Sequence, residues 1–201
     1  MEFQDVVDRR RMVRNYSDEP VDPAVVERIL SNALHAPSAG FSQGWGFLLL
    51  DDRAAIERFW ACTTEPGDLP DSWLTGMHRA PVLVVALSNK DVYLDRYAAP
   101  DKGWTDRDES RWQVPYWDID TGMAALLMLQ TVTDEGLGAC FFGVPREYWD
   151  AFRSEFDVPT AYTPIGAITI GHRAPDRKSP SLKRGRKSTA DVVHRNAWSP
   201  S

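Results

Sequence analysis

Cysteine is scarce: Cys62 and Cys140 are the only two among 201 residues. Two thiols that far apart build neither a disulfide framework nor a zinc-ligand spacing, so both read as reduced core residues. No apolar run reaches the length of a membrane span. The start, Met1-Glu2-Phe3-Gln4-Asp5, has neither a basic n-region nor an apolar h-region. No signal peptide is therefore expected, and the expected location is cytoplasmic. Basic charge is in deficit: 23 Lys and Arg against 29 Asp and Glu leave a formal charge of −6, which argues against bulk nucleic-acid binding. Internal repeats and low-complexity tracts are missing too. The histidines His35, His78, His172 and His194 are isolated along the chain and each reads as structural.

Tryptophan, by contrast, is abundant, with eight in the chain. Such an excess points to a large core, an aromatic-lined pocket or a subunit interface. The length fits one domain over 1–201 with a sizeable core.

Against the acidic background, four arginines fall within Arg9-Arg10-Arg11-Met12-Val13-Arg14. They follow a short amphipathic run from Phe3 and precede a turn-like Asn15 to Pro20. Arginine offers a permanent charge and a planar fork of donors that suits phosphate oxygens. The cluster reads either as a phosphate grip or as a solvated helix end that complements the dipole.

Along the chain, Asp22-Pro23 marks a helix start, with Asp22 as cap, and Pro37 its stop. A loop of small residues, Ala36 to Phe47, follows; its exposed amides suit a flat ligand or an ordinary connection. Phe47–Leu50 reads as a buried strand, Arg53–Cys62 as a helix, Pro66, Gly67 and Pro70 as a loop, and Ser72–Arg79 as a short helix. Pro81–Leu87 is an unbroken apolar run, the mark of a strand covered on both faces. From Ser88 to Pro115 periodicity is lost, and the stretch reads as a lid or substrate-side excursion, or as an exposed helical hairpin.

Asp118 or Asp120 can cap a nearly all-apolar helix over Thr121–Glu135, suited to a core or a subunit interface. Ala139–Val144 reads as a strand, Arg146–Phe156 as a helix and Thr163–Gly171 as the last strand. Residues 172–201 form a C-terminal arm. It is basic at Arg173, Arg177, Lys178, Lys183, Arg184, Arg186 and Lys187 against Asp176, then apolar at Val192, Val193 and Trp198. An arm with no core of its own is expected to lie across a partner subunit.

These motifs, in this order, resemble the nitroreductase family of flavin enzymes. The resemblance runs over nearly the whole chain. Its carriers are Arg10-Arg11-Met12-Val13-Arg14, the loop Ala36 to Phe47, Gly136-Leu137-Gly138-Ala139-Cys140, and Arg184-Gly185-Arg186-Lys187 with Val192-Val193-His194. Three positions depart from the family pattern. Met12 stands where serine is common, Phe41 where asparagine is common, and Gly44 where proline precedes Trp45.

The resemblance implies an α+β three-layer sandwich, with a central mixed or antiparallel sheet covered by helices, in an intertwined homodimer. It implies FMN at the subunit interface, NADPH or NADH as reductant, and a small flat aromatic or conjugated acceptor such as a nitroaromatic, quinone or enone. It assigns cofactor binding to Arg10, Arg11, Met12, Arg14, Pro37, Ser38, Ala39, Phe141, Phe142, Gly143, Arg184 and Arg186. The backbone amides of Phe142 and Gly143 are expected near flavin N5, and no acid–base side chain or metal is required. Phe41, Trp112, Tyr116 and Trp117 are candidates for the substrate side. The alternatives are a flavin- or deazaflavin-dependent oxidase or dehydrogenase of a biosynthetic intermediate, and a flavin-sequestering protein without turnover.

Overall fold

The apolar run Val82-Leu83-Val84-Val85-Ala86-Leu87 becomes a central strand because β-branched residues on both faces find a packed layer on either side. A computed structural model describes residues 1–65, 72–175 and 179–198. The expected loop at Pro66, Gly67 and Pro70, and the charges of Asp176, Arg177 and Lys178, lie outside the described residues.

In order, the elements are α1 (Phe3–Arg9), α2 (Pro23–Ala33), β1 (Trp45–Leu50), α3 (Arg53–Thr63), α4 (Ser72–Met77), β2 (Val82–Asn89) and α5 (Lys90–Tyr97). Then come α6 (Tyr116–Asp134), β3 (Gly138–Phe142), α7 (Trp149–Phe156), β4 (Tyr162–Gly171) and α8 (Thr189–Val192). The strands form one sheet in the order β1-β2-β4-β3, with every neighbouring pair antiparallel. Alternation along β2 and β4 divides the core. Val82, Val84, Ile168 and Ile170 face a layer built by α2 and α6. Leu83, Val85, Leu87 and Ala167 face a second layer with Ile56, Phe59 and Trp60 of α3 and Phe152 of α7. The result is the expected α+β three-layer sandwich.

Local chemistry explains the element starts. The Asp22 carboxylate accepts the Ala24 N–H at 2.9 Å, and Pro23 opens α2. Asn89 caps α5 through the Asp91 N–H at 3.0 Å. Four expectations change. β1 is half-buried apart from Leu50, because it is an edge strand with a neighbour on one side only. α2 ends at Ala33, ahead of Pro37, which instead sits in the following turn. β2 runs on through Ser88 and Asn89, both buried, so the excursion starts later and opens with α5. α6 begins at Tyr116, which places Asp118 and Asp120 inside the helix, where neither caps it.

α6 is apolar on both sides, as expected, but buried on only one. Tyr116, Ile119, Met123 and Leu126 are exposed along one side, at helical spacing. Its other side carries Ala124, Ala125, Met128 and Val132 into the core.

Candidate functional site

The arginine segment is fastened to the sheet at two points. Val13 donates its N–H to the Ala139 carbonyl at 2.8 Å, and Met12 pairs with Ala139 as a single parallel bridge. The Met12 sulfur accepts the Phe141 N–H at 3.4 Å. Further on, Ser17 donates to the His172 carbonyl at 3.0 Å, and Ala174 returns a bond to Asn15 at 3.1 Å. Tyr16, fully buried, is held by the Val13 carbonyl at 2.6 Å and by the Thr169 hydroxyl at 2.9 Å. Arg10 to Arg14 therefore lie along the free edge of β3, which ends at Phe142 and is followed by Gly143.

Arg28, Arg53, Arg58, Arg96, Arg107, Arg111 and Arg153 all pair with carboxylates. Among the described residues Arg10 and Arg11 pair with none, as is also true of Arg79, Arg146, Arg184 and Arg186. Arg173 joins them. Its guanidinium donates to the Leu137 carbonyl at 2.9 and 2.7 Å, and burial together with the nearby Arg11 charge lowers its pKa. Sequence reasoning counted Arg173 only among the basic residues of the arm. The close approach of residues 11 and 173 is a long-range fact with no local signal.

On β3, strand alternation sorts the two amides expected near a flavin. Ala139 and Phe141 turn their backbone groups to the free edge. The Phe142 N–H therefore turns toward β4, where it faces Ala167, and Gly143 is next in line for the free edge. The Phe142 ring stacks on Trp60 at 5.4 Å between centroids and 11° between planes. That ring is partly buried and packs against the core.

The loop Pro37, Ser38, Ala39, Gly40 and Phe41 is wound tightly. Gly40, Phe41 and Gln43 have φ of 62°, 54° and 53°. Ser38 Oγ accepts the Gln43 N–H at 3.0 Å, and Ser42 Oγ donates to the Ala39 carbonyl at 2.6 Å. Left-handed backbone suits Gly40 but is unfavourable for Phe41 and Gln43. The Phe41 ring projects into solvent with 76% of its surface exposed. The loop is anchored from below, where Ala39 donates its N–H to Asp120 Oδ2 at 2.8 Å. From the side, Arg96 donates to the Gly40 carbonyl at 3.2 Å. A Cβ on Gly40 would stand 2.7 Å from the Tyr97 ring, so only glycine fits there.

The excursion is a folded unit. Trp112 sits at its centre, with Tyr97, Trp104, Tyr116 and Trp117 at 4.6, 5.5, 5.8 and 5.9 Å between centroids. Its Nε1 is buried and has no partner among the described residues. The charges pair locally: Arg96 with Asp101 at 2.7 Å, Arg111 with Asp106 at 2.8 Å, Arg107 with Asp91 and Asp95 at 2.9 and 2.7 Å, and Lys90 with Glu109 at 2.6 Å. Of the substrate-side candidates, Trp112, Tyr116 and Trp117 are thus brought together. Phe41 stands at the exposed tip of the neighbouring loop.

Arg184 and Arg186 are exposed on the arm, and Arg184 ends a short turn of helix over Pro180–Arg184. The arm's apolar side chains Leu182, Val192, Val193 and Trp198 are exposed as well. On the opposite side of α6 from the sheet, a cavity of about 410 Å³ opens beside α1 and α2, lined by Phe3, Val6, His35, Leu127 and Gln130 among others.

Comparison with known proteins fits this geometry. The model of the nitroreductase family matches residues 7–172. A protein of Archaeoglobus fulgidus, provisionally named NADH dehydrogenase/NAD(P)H nitroreductase, is 26% identical over 94% of this chain and 94% of its own. The 5,6-dimethylbenzimidazole synthase of Rhodospirillum rubrum is 26% identical over 87% of this chain and 83% of its own. Among solved structures, an FMN-dependent nitroreductase of Clostridium difficile superposes with a TM-score of 0.70 at 23% identity, covering 97% of this chain and 99% of that one. Among the described residues, no helix is long and apolar enough to cross a membrane.

Proposed function

The chain belongs to the nitroreductase family, and from that premise we propose that it is an FMN-dependent oxidoreductase reduced by NADPH or NADH. The observation that carries the proposal is the placement of Arg10 and Arg11, cations with no carboxylate partner among the described residues, along the β3 edge that ends at Phe142, just before Gly143. In a chain of net charge −6, such cations suit an anionic ligand. The tightly wound Pro37–Ala39 loop offers backbone to a flat ring.

In this reading Arg10, Arg11 and Arg14 hold the phosphate, with Arg184 and Arg186 reaching it from the arm of a second copy. The Met12 backbone lies at the same phosphate, while its side chain serves the sheet. Bound FMN supplies the hydride chemistry; the protein contributes binding, orientation and electronics. Pro37, Ser38 and Ala39 cover one edge of the ring system, and Phe141 and Gly143 border the other. Gly143, at the free edge, is the better placed amide donor toward N5. The aromatic cluster around Trp112, with Tyr116, Trp117 and Phe41, walls the side where a flat acceptor such as a nitroaromatic, quinone or enone stacks.

A homodimer is part of the same proposal, and the surface supports it. The exposed stripe Tyr116, Ile119, Met123 and Leu126 on α6 is an apolar face on a main helix. The arm's Val192, Val193 and Trp198 are apolar side chains in search of a partner groove. With FMN between two such copies, each site draws on both chains.

A second reading has a specific basis. The similarity to the 5,6-dimethylbenzimidazole synthase, with Phe41 in place of asparagine, favours a flavin-dependent oxidase or dehydrogenase of a biosynthetic intermediate. Anaerobic titration separates the two. Bleaching of the bound flavin by NADH or NADPH, reversed by a quinone, supports the reductase. A flavin that neither nicotinamide bleaches supports the second reading.

A further inference from the structure

We propose that Asp120 and Tyr93 are positioning residues that hold the Ala39 loop at its working height by tying it to the exposed-faced helix α6. The inference rests on the reading of Pro37–Ala39 as the flavin-side loop. One carboxylate oxygen, Asp120 Oδ2, accepts both the Ala39 N–H and the Tyr93 hydroxyl, each at 2.8 Å. Asp120 is 3% exposed and Tyr93 fully buried. A carboxylate at that depth persists only where hydrogen bonds replace its water. Here the donors are one main-chain amide of the loop and one phenol.

Tyr93 meets the same loop a second time. A Cβ on Gly44 would stand 2.5 Å from its ring and 2.7 Å from the Asn89 carbonyl, and Asn89 donates its N–H to the Gly44 carbonyl at 2.7 Å. The loop is thus gripped at Ala39 through Asp120 and at Gly44 by direct packing. Between the two grips lie Phe41 and Gln43, in backbone conformations that a free chain disfavours. Such a loop keeps its shape only while both ends are held. Asp120 directly follows Ile119 of the exposed apolar stripe, so a shift of α6 against a partner is passed to Ala39 through one carboxylate. The acidic residues here do not act as caps: the neighbouring Asp118 accepts the Ser88 hydroxyl at 2.6 Å and fixes the same helical turn to β2.

The test uses the full chain and its Asp120→Ala, Asp120→Asn and Tyr93→Phe variants, with two readouts. One is FMN affinity, measured by quenching of flavin fluorescence. The other is hydrogen exchange at the Ala39 amide in protein without FMN. The expected result is FMN binding at least about tenfold weaker and faster Ala39 exchange in Asp120→Ala. Asp120→Asn, which keeps an acceptor, should stay within about threefold of wild type on both readouts, and Tyr93→Phe should fall between. Wild-type affinity and wild-type Ala39 exchange in a folded Asp120→Ala overturn the proposal. If that variant does not fold, unchanged values on both readouts in Tyr93→Phe overturn it instead. A wild-type protein that binds no FMN removes the cofactor reading, while the exchange readout still decides whether Asp120 holds the loop.

Discussion

The sulfur of Met12 accepts the backbone N–H of Phe141 at 3.4 Å. Together with the Val13–Ala139 bond, this contact ties the basic segment to the free edge of β3, where the side chain takes the place of a strand neighbour. Met12 also packs against both halves of the core. Met12→Ala should therefore cost about 2 kcal/mol, the low end for a large-to-small core change, since the side chain is only half-buried. Urea unfolding measures it. FMN retention should fall in the same variant.

The arginines should act on the ligand and leave the fold alone. A charge-assisted contact is worth about 1.5–3 kcal/mol, so Arg10→Ala, Arg14→Ala and Arg186→Ala should each weaken FMN binding by roughly ten- to a hundredfold. Melting temperatures of Arg10→Ala and Arg186→Ala without FMN should match wild type. Flavin fluorescence titration reads the first effect and thermal unfolding the second. Wild-type FMN affinity in all three would remove the phosphate assignment.

Phe41 holds a left-handed φ of 54° with its ring exposed. Phe41→Gly relieves that strain but adds chain entropy to the unfolded state, so stability should change by less than about 1 kcal/mol. If the ring borders the acceptor, the KM for a quinone or nitroarene should rise several-fold with little change in the KM for the nicotinamide. Steady-state kinetics with both substrates varied gives the comparison.

The excursion should loosen in acid before the rest of the chain. Hydrogen bonds from Arg96 and Arg111 hold Asp101 and Asp106 below the ordinary carboxylate value of 3.8. Depressed carboxylates stabilise above their unfolded pKa, and the gain is lost as pH falls through the lower folded values. Emission from Trp104 and Trp112 should shift as pH drops below about 4. Because these pairs are exposed, high salt at neutral pH should reproduce part of the shift.

How much of this was legible beforehand depends on the range of the interaction. Asp22-Pro23 announced α2 because capping is decided within two residues. The run from Val82 to Leu87 announced a central strand because both faces are covered. Asp118 and Asp120 were misread as caps because their true partners, Ser88, Tyr93 and Ala39, lie in other elements and no spacing encodes them. Ser88 and Asn89 looked like loop by polarity, yet β4 continues beside them and keeps them in the sheet. The excursion shows no periodicity in sequence because its ion pairs, such as Arg96 with Asp101, cancel over a few residues and its aromatic cluster is irregularly spaced. The family pattern located the arginines and the Ala39 loop. That Met12 serves the sheet edge, and that the Phe142 ring packs against the core beside Trp60, emerged only from the folded chain.

The exposed side of α6 gives one more expectation. Leu126→Glu puts a charge into the proposed subunit face and should shift the protein from dimer toward monomer in sedimentation velocity, with weaker FMN retention because each site would lose its second chain. A monomeric wild type would contradict the shared site.

The most direct measurement is the visible absorption spectrum of the purified protein, with any released chromophore identified by mass. The expected result is a yellow protein holding about one FMN per chain, as the proposed phosphate site at the arginine edge and the proposed flavin-side loop in every copy require. A colourless protein that also fails to take up added FMN would contradict the central claim, and would leave Arg10 to Arg14 as charged surface or as the site of another phosphorylated ligand.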